Sequence, residues 1–268
     1  MKITVDLDNW EAFAPALAEI TNKYPGTPAA PMLFRGQSDA SWRLETTLER
    51  YPIKLRYLEE YFEAMYKARP QIETYTNQSW PFPTWLEYVE ALKGEAIGLK
   101  LTHFPADQYM IYLRHHGFPS PLLDWTTSPY VAAFFAFSNA VPSSLHVSLY
   151  AYLEYPSNAK GVMLDAPNIS VRGSHVRSHR RHFLQQCAYT MCTEKKAGEW
   201  LYACHEDVFD EGSEIQDFLW KFNLPASERT TVLRDLDRYN LNAYSLFGTE
   251  EGLMETVAQR EILFPLLP

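Results

Sequence analysis

The segment around Pro129 restricts the fold of this chain more than any other part of its sequence. Eight consecutive apolar or aromatic residues, Tyr130–Phe137, follow Ser128 and Pro129. A serine followed by proline is typical of a helix start, because serine caps free N–H groups and proline fits the first turn. A helix that is apolar on every side has to be covered by other elements. The run is far shorter than the ~20 residues of a membrane-spanning helix, so we expect a buried helix in a globular protein and no membrane partner.

The composition predicts a globular, cytoplasmic protein. The chain has 268 residues, of which 46% are apolar and 15% aromatic, and a chain of this length forms a core without disulfides or metals. Its 24 basic and 33 acidic residues give a net charge of −9, which disfavours sequence-independent coating of nucleic acid. Three cysteines, an odd number, indicate reduced thiols. The segment Met1–Asp6 lacks the apolar stretch of a secretory signal.

Strand and helix patterns occur in mixed order along the chain. Apolar and alternating runs predict strands at 3–7, 32–34, 145–153, 161–164, 186–193, 199–204 and 261–264. Helical periodicity and helix-start residues predict helices at 9–23, 54–69, 83–101, 105–116, 129–140, 227–239 and 250–258. This order predicts an α+β fold of mixed small sheets with flanking helices. We expect one folded unit, with an N-terminal strand and helix extension (1–28), a core (29–153) and a C-terminal part of the same fold (154–268).

The first candidate for chemistry is the segment Leu33–Gln37, which reads Leu-Phe-Arg-Gly-Gln. An apolar strand that ends in Arg35 and Gly36 places a guanidinium at the edge of the core. Arginine is suited to bidentate contact with phosphate or carboxylate, and glycine lets a ligand approach the backbone closely. The alternative is a structural arginine that pairs with a nearby acid or donates to a carbonyl group.

The second candidate is the polar segment that joins two predicted helices. It runs from His115-His116-Gly117 through Asp124 and Thr126-Thr127-Ser128 to the buried helix. Free N–H groups at that helix start would favour an anion or a ligand hydroxyl, and clustered polar residues between apolar segments are typical of a pocket wall. The alternative is structural: Asp124 and Ser128 cap the helix, and His116 is an interior histidine.

A third cluster is the basic segment from Arg172 to His182. It contains four arginines and three histidines with no acidic residue. In an acidic protein, this segment predicts a local positive patch for a pyrophosphate, a phosphorylated target or RNA; a solvated helix face is the alternative. His175, His179 and His182 would share one face of a helix, but their basic neighbours disfavour a cation, so no metal site is predicted.

Several separated motifs together resemble the FRG domain family, which is named for its Phe-Arg-Gly motif. From about Ala29 to Leu153 they occur in the family's order: Phe34-Arg35-Gly36-Gln37, Trp42, His115-His116-Gly117, Leu122-Leu123-Asp124-Trp125-Thr126, Ser128-Pro129 and Ala132. Weaker similarities follow at Arg180-Arg181, Gln185-Gln186, Leu246-Phe247 and Glu251-Gly252-Leu253. The family usually has Gln-Gln-Gly and then an aromatic residue, whereas this chain has Cys187 and then Tyr189 at that place. The family name does not by itself supply a function.

A more distant similarity links the same residues to arginine-type ADP-ribosyltransferases. These enzymes have an early strand that ends in Arg-Gly, a Ser-Thr-Ser segment before a buried helix, and Gln-x-Glu or Glu-x-Glu before a late strand. This chain has Arg35-Gly36, Thr126-Thr127-Ser128 and Gln259-Arg260-Glu261 in that order, with threonine in place of the first serine. The similarity implies a split-sheet core of the ADP-ribosyltransferase type and NAD as the co-substrate.

The similarity also implies a role for each site residue. Cleavage of the nicotinamide–ribose bond develops positive charge on the sugar, which the carboxylate of Glu261 would stabilise. Arg35 would bind the pyrophosphate or the adjacent ribose. The implied catalytic residues are Arg35, Thr126, Ser128, Glu261 and His116, and the implied NAD-binding residues are Arg35, Gly36, Gln37, His116, Asp124 and Thr127. If Gln185 or Gln186 holds the third position instead of Glu261, the site has no carboxylate and transfer chemistry is in doubt.

The sequence is therefore compatible with three functions. The first is an ADP-ribosyltransferase-like enzyme that uses NAD to modify a macromolecule, as a bacterial toxin or phage-defence effector with a neutralising or regulatory protein partner would. The second is a non-catalytic module that binds a nucleotide, RNA or a protein through Arg35, His116 and the patch at Arg172–His182. The third is a metal-independent nuclease with His115, His116 and Asp124 as acid–base groups.

Overall fold

The computed structural model describes residues 1–53, 55–93, 106–139, 141, 143–156, 160–161, 166–173, 176, 179–210 and 215–266. Within these residues, eight strands form one mixed sheet. They are β1 (Lys2–Asp6), β2 (Leu33–Gln37), β3 (Leu122–Thr126), β4 (His146–Leu153), β5 (Asn168–Arg172), β6 (Cys187–Lys196), β7 (Glu199–Tyr202) and β8 (Phe218–Pro225). The strand order is β1-β8-β4-β2-β3-β6-β5, and β7 also pairs with β6. The β1–β8 pair is parallel, and the other pairs are antiparallel.

Helices flank the sheet. They are α1 (Phe13–Lys23), α2 (Leu58–Thr76), α3 (Trp85–Lys93), α4 (Asp107–His115), α5 (Pro129–Ser138), α6 (Arg180–Leu184), α7 (His205–Asp210), α8 (Arg229–Arg238), α9 (Ala243–Phe247) and α10 (Glu250–Ala258). After α10 the chain continues in a π-helical turn, Gln259–Leu263, and a 3₁₀ turn, Phe264–Leu266. No helix in the described part of the chain has the length and apolar character that crossing a lipid bilayer requires.

The predicted buried helix is α5, and it lies in the centre of one hydrophobic core. Ser128 caps it, because the Oγ atom accepts a hydrogen bond from the N–H of Val131 at 3.3 Å. Six of its residues are at most 1% exposed, and the helix packs against β2, β4 and α8. Phe13 of α1 belongs to the same core, so the N-terminal segment is part of this fold. The prediction of a buried helix at this place is confirmed.

Strands β2 and β3 pair over a short length beside Arg35. β2 pairs with β4 at all five of its residues, but it pairs with β3 at one position, where Phe34 lies opposite Thr126. On its other edge, β3 pairs with β6, which brings Cys187 next to Thr126. The gap between β2 and β3 is therefore bordered by residues of both strands and by the beginning of β6.

The structure corrects the predicted fold in two respects. One continuous eight-stranded sheet replaces the predicted small sheets, because β4 pairs with β2 on one edge and with β8 on the other. The predicted strand at 261–264 is wrong, since these residues are helical. Residues 162–164 of another predicted strand, and the predicted helix start at Pro105, lie outside the described residues. The mixture of strands with flanking helices is confirmed.

Candidate functional site

A cavity of about 340 Å³ lies where β2 and β3 separate. Its walls come from β2, β3, α5, the end of α4 and the beginning of β6. The lining residues are Phe34, Arg35, Gly36, Gln37, Ser38, Trp42, Arg50, His115, Asp124, Trp125, Thr126, Ala132, Phe135, Asn139, Gln185 and Cys187. The structure thus brings together five of the predicted site residues, namely Arg35, Gly36, Gln37, Asp124 and Thr126.

Gly36 lets β2 lie directly against α5. A β-carbon built on Gly36 would come within 2.0 Å of the carbonyl oxygen of Ala132 and 2.6 Å of the backbone nitrogen of Ala136. Both are backbone atoms of α5, so no side-chain rotation could make room for it. The glycine of the Phe-Arg-Gly motif therefore sets the distance between strand and helix, and with it the position of Arg35.

Arg35 carries a buried donor that has no partner among the described residues. Its Nη1 donates to the backbone carbonyl of Asp124 at 2.7 Å, whereas its Nε is buried without a hydrogen-bond partner among the described residues. Burial lowers the pKa of this guanidinium to about 10, against the opposing effect of the Asp124 carboxylate, so the group stays protonated at neutral pH. A buried cationic donor is costly unless a ligand or solvent pairs with it.

The cavity has an excess of positive charge. Arg35 and Arg50 both line it, and the charge of Arg50 adds to the lowering of the pKa of Arg35. Asp124 is the one carboxylate among the described residues that line the cavity, and its Oδ2 forms an ion pair with Arg114. Because that pair is neutral overall, the two lining arginines favour an anionic ligand.

Gln37 adds an unused acceptor to the same wall. Its Nε2 donates to the carbonyl oxygen of Arg43 at 3.0 Å. The residue is only 6% exposed, and its buried Oε1 has no hydrogen-bond partner in the described part of the structure. The wall therefore offers a cationic donor and a neutral acceptor, which a ligand with both phosphate and hydroxyl groups would satisfy.

The polar segment 126–128 is tied to the loop before β6. Thr126 donates to the carbonyl oxygen of Gln185 at 2.7 Å and accepts from the N–H of Ser128 at 3.1 Å. Thr127 is exposed and donates to the side chain of Gln186 at 3.1 Å. Thr126 and Gln185 line the cavity, whereas Thr127 and Ser128 are not among its lining residues. For Ser128, the structure therefore supports the capping interpretation.

Glu261 does not line the cavity. It is exposed in the π-helical turn that continues α10. The neighbouring Arg260 holds this turn against α8, since its Nε and Nη2 each lie 2.8 Å from a carboxylate oxygen of Asp237. This bidentate pair favours the helical turn over the predicted strand. Gln185 lies at the cavity next to Thr126 instead, so the described residues place an amide there and no unpaired carboxylate.

The two histidines at the end of α4 have different surroundings. His115 lines the cavity, and its Nε2 lies 2.7 Å from the hydroxyl oxygen of Tyr189. Burial lowers the pKa of His115 to about 4, so the ring is neutral at pH 7. His116 is exposed, and its ring lies 4.3 Å from that of Tyr112 and 5.5 Å from that of His179. Of the two histidines, His115 is among the lining residues and His116 is not, because consecutive helix residues point in different directions.

The basic segment does not form one continuous surface. Arg172 is 2% exposed and forms an ion pair with Asp107 at 3.2 Å. His182 is 5% exposed, and Arg181 lies over the ring of Phe247 at 5.5 Å. His175 and Arg177 lie outside the described residues. The predicted patch is therefore wrong at Arg172 and His182, since the sheet and α6 bury both side chains.

A hydrogen-bonded chain supports the indole of Trp125, which lines the cavity. Trp125 donates through Nε1 to the hydroxyl of Thr190 at 2.7 Å, and Nε2 of His205 lies 2.9 Å from the same hydroxyl. The hydroxyl accepts from Trp125 and can either donate to Nε2 of His205 or accept an N–H from it. Burial lowers the pKa of His205 to about 3, and the charge of Arg35 acts in the same direction.

His205 should make the fold sensitive to mild acid. The unfolded chain protonates this histidine below a pKa of about 6.5, whereas the folded chain does so near 3. Below about pH 6.5 the unfolded state therefore binds more protons, and stability falls by roughly 1.4 kcal/mol per pH unit. Urea unfolding at pH 7 and pH 5 should show a loss that is about 2 kcal/mol smaller in His205→Gln than in the unmodified chain, while the contribution of His115 is common to both proteins. Equal losses in both proteins would contradict the neutral, buried state of His205.

Sequence reasoning missed part of the cavity wall. Gln185 was an alternative for the third position, but Arg50, Phe135 and Asn139 were not singled out, and Cys187 was considered only as a reduced thiol and as a departure from the family pattern. The spacing of Phe135 and Asn139, three and seven residues after Ala132, placed them on one face of α5. No local signal marked Arg50, because only the packing of its loop brings it to β2.

The family model described as "FRG domain" matches residues 30–144. This range contains β2, α5 and the strand that carries Asp124, and it ends before Gln185 and Cys187. No curated protein and no solved structure matches the chain. The resemblance predicted from Phe34-Arg35-Gly36, His115-His116-Gly117 and Asp124-Trp125 therefore has independent support, and residues 30–144 are similar to the FRG domain.

Proposed function

We propose that this chain binds a nucleotide-type ligand, with NAD as the first candidate, through the cavity at Arg35. The observation that carries this proposal is the unpaired, buried Nε of Arg35 in a cavity that Arg50 also lines. The planar guanidinium fits two phosphate oxygens at once. A pyrophosphate at this position would neutralise both arginines and use the free donor.

The remaining cavity wall suits the other parts of a nucleotide. Trp42, Trp125 and Phe135 offer flat apolar surfaces for an adenine or nicotinamide ring. The buried Oε1 of Gln37 is available to accept from a ribose hydroxyl. The volume of about 340 Å³ is at the lower end of the range for small-molecule sites, so one half of a dinucleotide would be enclosed while the other extends outward past Trp42, which is 45% exposed.

Binding without turnover is the function that the geometry supports best. ADP-ribosyl transfer needs a carboxylate near the developing positive charge of the ribose. The cavity has the amide of Gln185 beside Thr126, and the carboxylate of Asp124 is held by Arg114. A toxin or phage-defence role based on transfer would therefore depend on Glu261, which is exposed on a helical turn.

The proposal is tested by titrating the purified chain with NAD, ADP-ribose and nicotinamide mononucleotide, and by measuring free nicotinamide in parallel. We expect binding of NAD and ADP-ribose, no release of nicotinamide, and unchanged affinity in Glu261→Gln. If none of the three compounds binds, the proposal is wrong. If nicotinamide is released and Glu261→Gln abolishes the release, the domain is a transferase and binding alone is not its function.

A further inference from the structure

Three potential metal ligands from separate elements meet beside the cavity. His115 is the last residue of α4, His182 lies in α6, and Cys187 begins β6. One ring nitrogen of each histidine and the Sγ of Cys187 all lie within 4.8 Å of one another. His115 and Cys187 line the cavity, and His182 is buried. This set differs from the three histidines of the basic segment, of which it shares only His182.

Tyr189 holds the two imidazoles toward a common point. Its hydroxyl oxygen lies 2.7 Å from Nε2 of His115 and 3.0 Å from Nδ1 of His182. The hydroxyl has one proton and two lone pairs, so it donates to at most one of these nitrogens and can accept an N–H from the other. The ring of Tyr189 also stacks on that of His182, with 5.7 Å between centroids. These contacts orient both imidazoles while no ion is bound.

We propose that His115, His182 and Cys187 bind a zinc-class divalent ion. A thiolate and two imidazoles favour zinc or cobalt, whereas magnesium and calcium prefer oxygen ligands. Binding replaces the hydrogen bonds from the two histidines to Tyr189. It also releases the thiol proton of Cys187 to solvent, while both imidazoles bind in the neutral form.

The proposed ion has an accessible fourth position. Because His115 and Cys187 line the cavity, water or an anionic ligand can reach the ion from that side. Three protein ligands with one open position are typical of catalytic zinc sites, whereas structural sites are closed by four protein ligands. Asp124 adds negative charge near both His115 and Cys187. The site does not depend on nucleotide binding.

The test uses the full chain, stripped with a chelator and then dialysed against Zn²⁺ or Co²⁺. We expect about one equivalent of zinc per chain by elemental analysis, and a near-ultraviolet charge-transfer band in the cobalt form that reports thiolate ligation. Cys187→Ser should lose this band and bind zinc at least about tenfold more weakly. The matched control is Cys204→Ser, which changes a partly buried cysteine outside the cluster and should behave as the unmodified chain.

Two results would overturn the proposal. One is an unmodified chain that retains no zinc after dialysis and shows no thiolate band with cobalt. The other is a folded Cys187→Ser variant that binds zinc as tightly as Cys204→Ser does. If Cys187→Ser does not fold, the cobalt spectrum of the unmodified chain still tests the proposed ligands. A chain that binds cobalt without a thiolate band would show that Cys187 is not a ligand.

Discussion

Substitution of Gly36 by alanine should destabilise the fold by about 3 kcal/mol or more, or abolish folding altogether. The added β-carbon would lie 2.0 Å from the carbonyl oxygen of Ala132 and 2.6 Å from the backbone nitrogen of Ala136. These atoms belong to α5, which is packed between the sheet and α8. Relief of the clash requires movement of a whole buried helix or of β2, and a close-packed core resists both.

Gly161→Ala is the matched control for this prediction. A β-carbon at Gly161 would meet only the side-chain oxygen of Gln216, at 3.5 Å, which is an ordinary contact. Urea unfolding followed by circular dichroism should therefore leave Gly161→Ala near the unmodified chain, while Gly36→Ala is strongly destabilised or insoluble. A Gly36→Ala protein within about 1 kcal/mol of the unmodified chain would show that β2 and α5 are not in backbone contact.

The three residues of the Phe-Arg-Gly motif differ in what they contact. Phe34 is 6% exposed and belongs to the core around α5. Gly36 allows that core to form with β2 against the helix backbone. Arg35 lies between them on the strand and places its guanidinium at the cavity. The first and third residues of the motif contribute to packing, and the second lines the cavity.

Local signals were sufficient to predict the parts of the site that are built from contiguous residues. The cap at Ser128 and the apolar run after it predicted α5, because helix starts and helix burial are encoded within one segment. The apolar strand that ends in Arg35-Gly36 predicted a guanidinium at the edge of the core. The structure agrees with both, and the edge is the gap between β2 and β3.

Contacts between distant segments were not predictable in the same way. The residues Ile262, Leu263 and Phe264 form an apolar run that favours a strand locally, yet Arg260 pairs with Asp237 and the turn stays helical. Gln185 reaches the cavity because β6 pairs with β3, so that Cys187 lies opposite Thr126. Neither the ion pair nor the strand pairing has a signature within either segment, since each depends on residues far apart along the chain.

Replacement of Arg35 by methionine should weaken nucleotide binding by about 100-fold while leaving the fold intact. A charged hydrogen bond contributes about 1.5–3 kcal/mol, and the buried Nε of Arg35 has no hydrogen-bond partner among the residues that the structure describes. The unfolding free energy should stay within about 1 kcal/mol of the unmodified value, because an apolar side chain of similar length removes the cost of a buried charge. The lost bond to the carbonyl oxygen of Asp124 offsets part of that gain.

The alternative role for Arg35, a structural arginine that ties β2 to β3, makes the opposite prediction. Loss of a purely structural partner would lower the unfolding free energy by several kcal/mol and would affect binding only through misfolding. Titration with ADP-ribose and urea unfolding of Arg35→Met therefore separate the two roles. Arg260→Met is the control, since it removes an arginine that pairs with Asp237 away from the cavity. A folded Arg35→Met protein that binds ADP-ribose as tightly as Arg260→Met does would rule out Arg35 as the anion-binding residue.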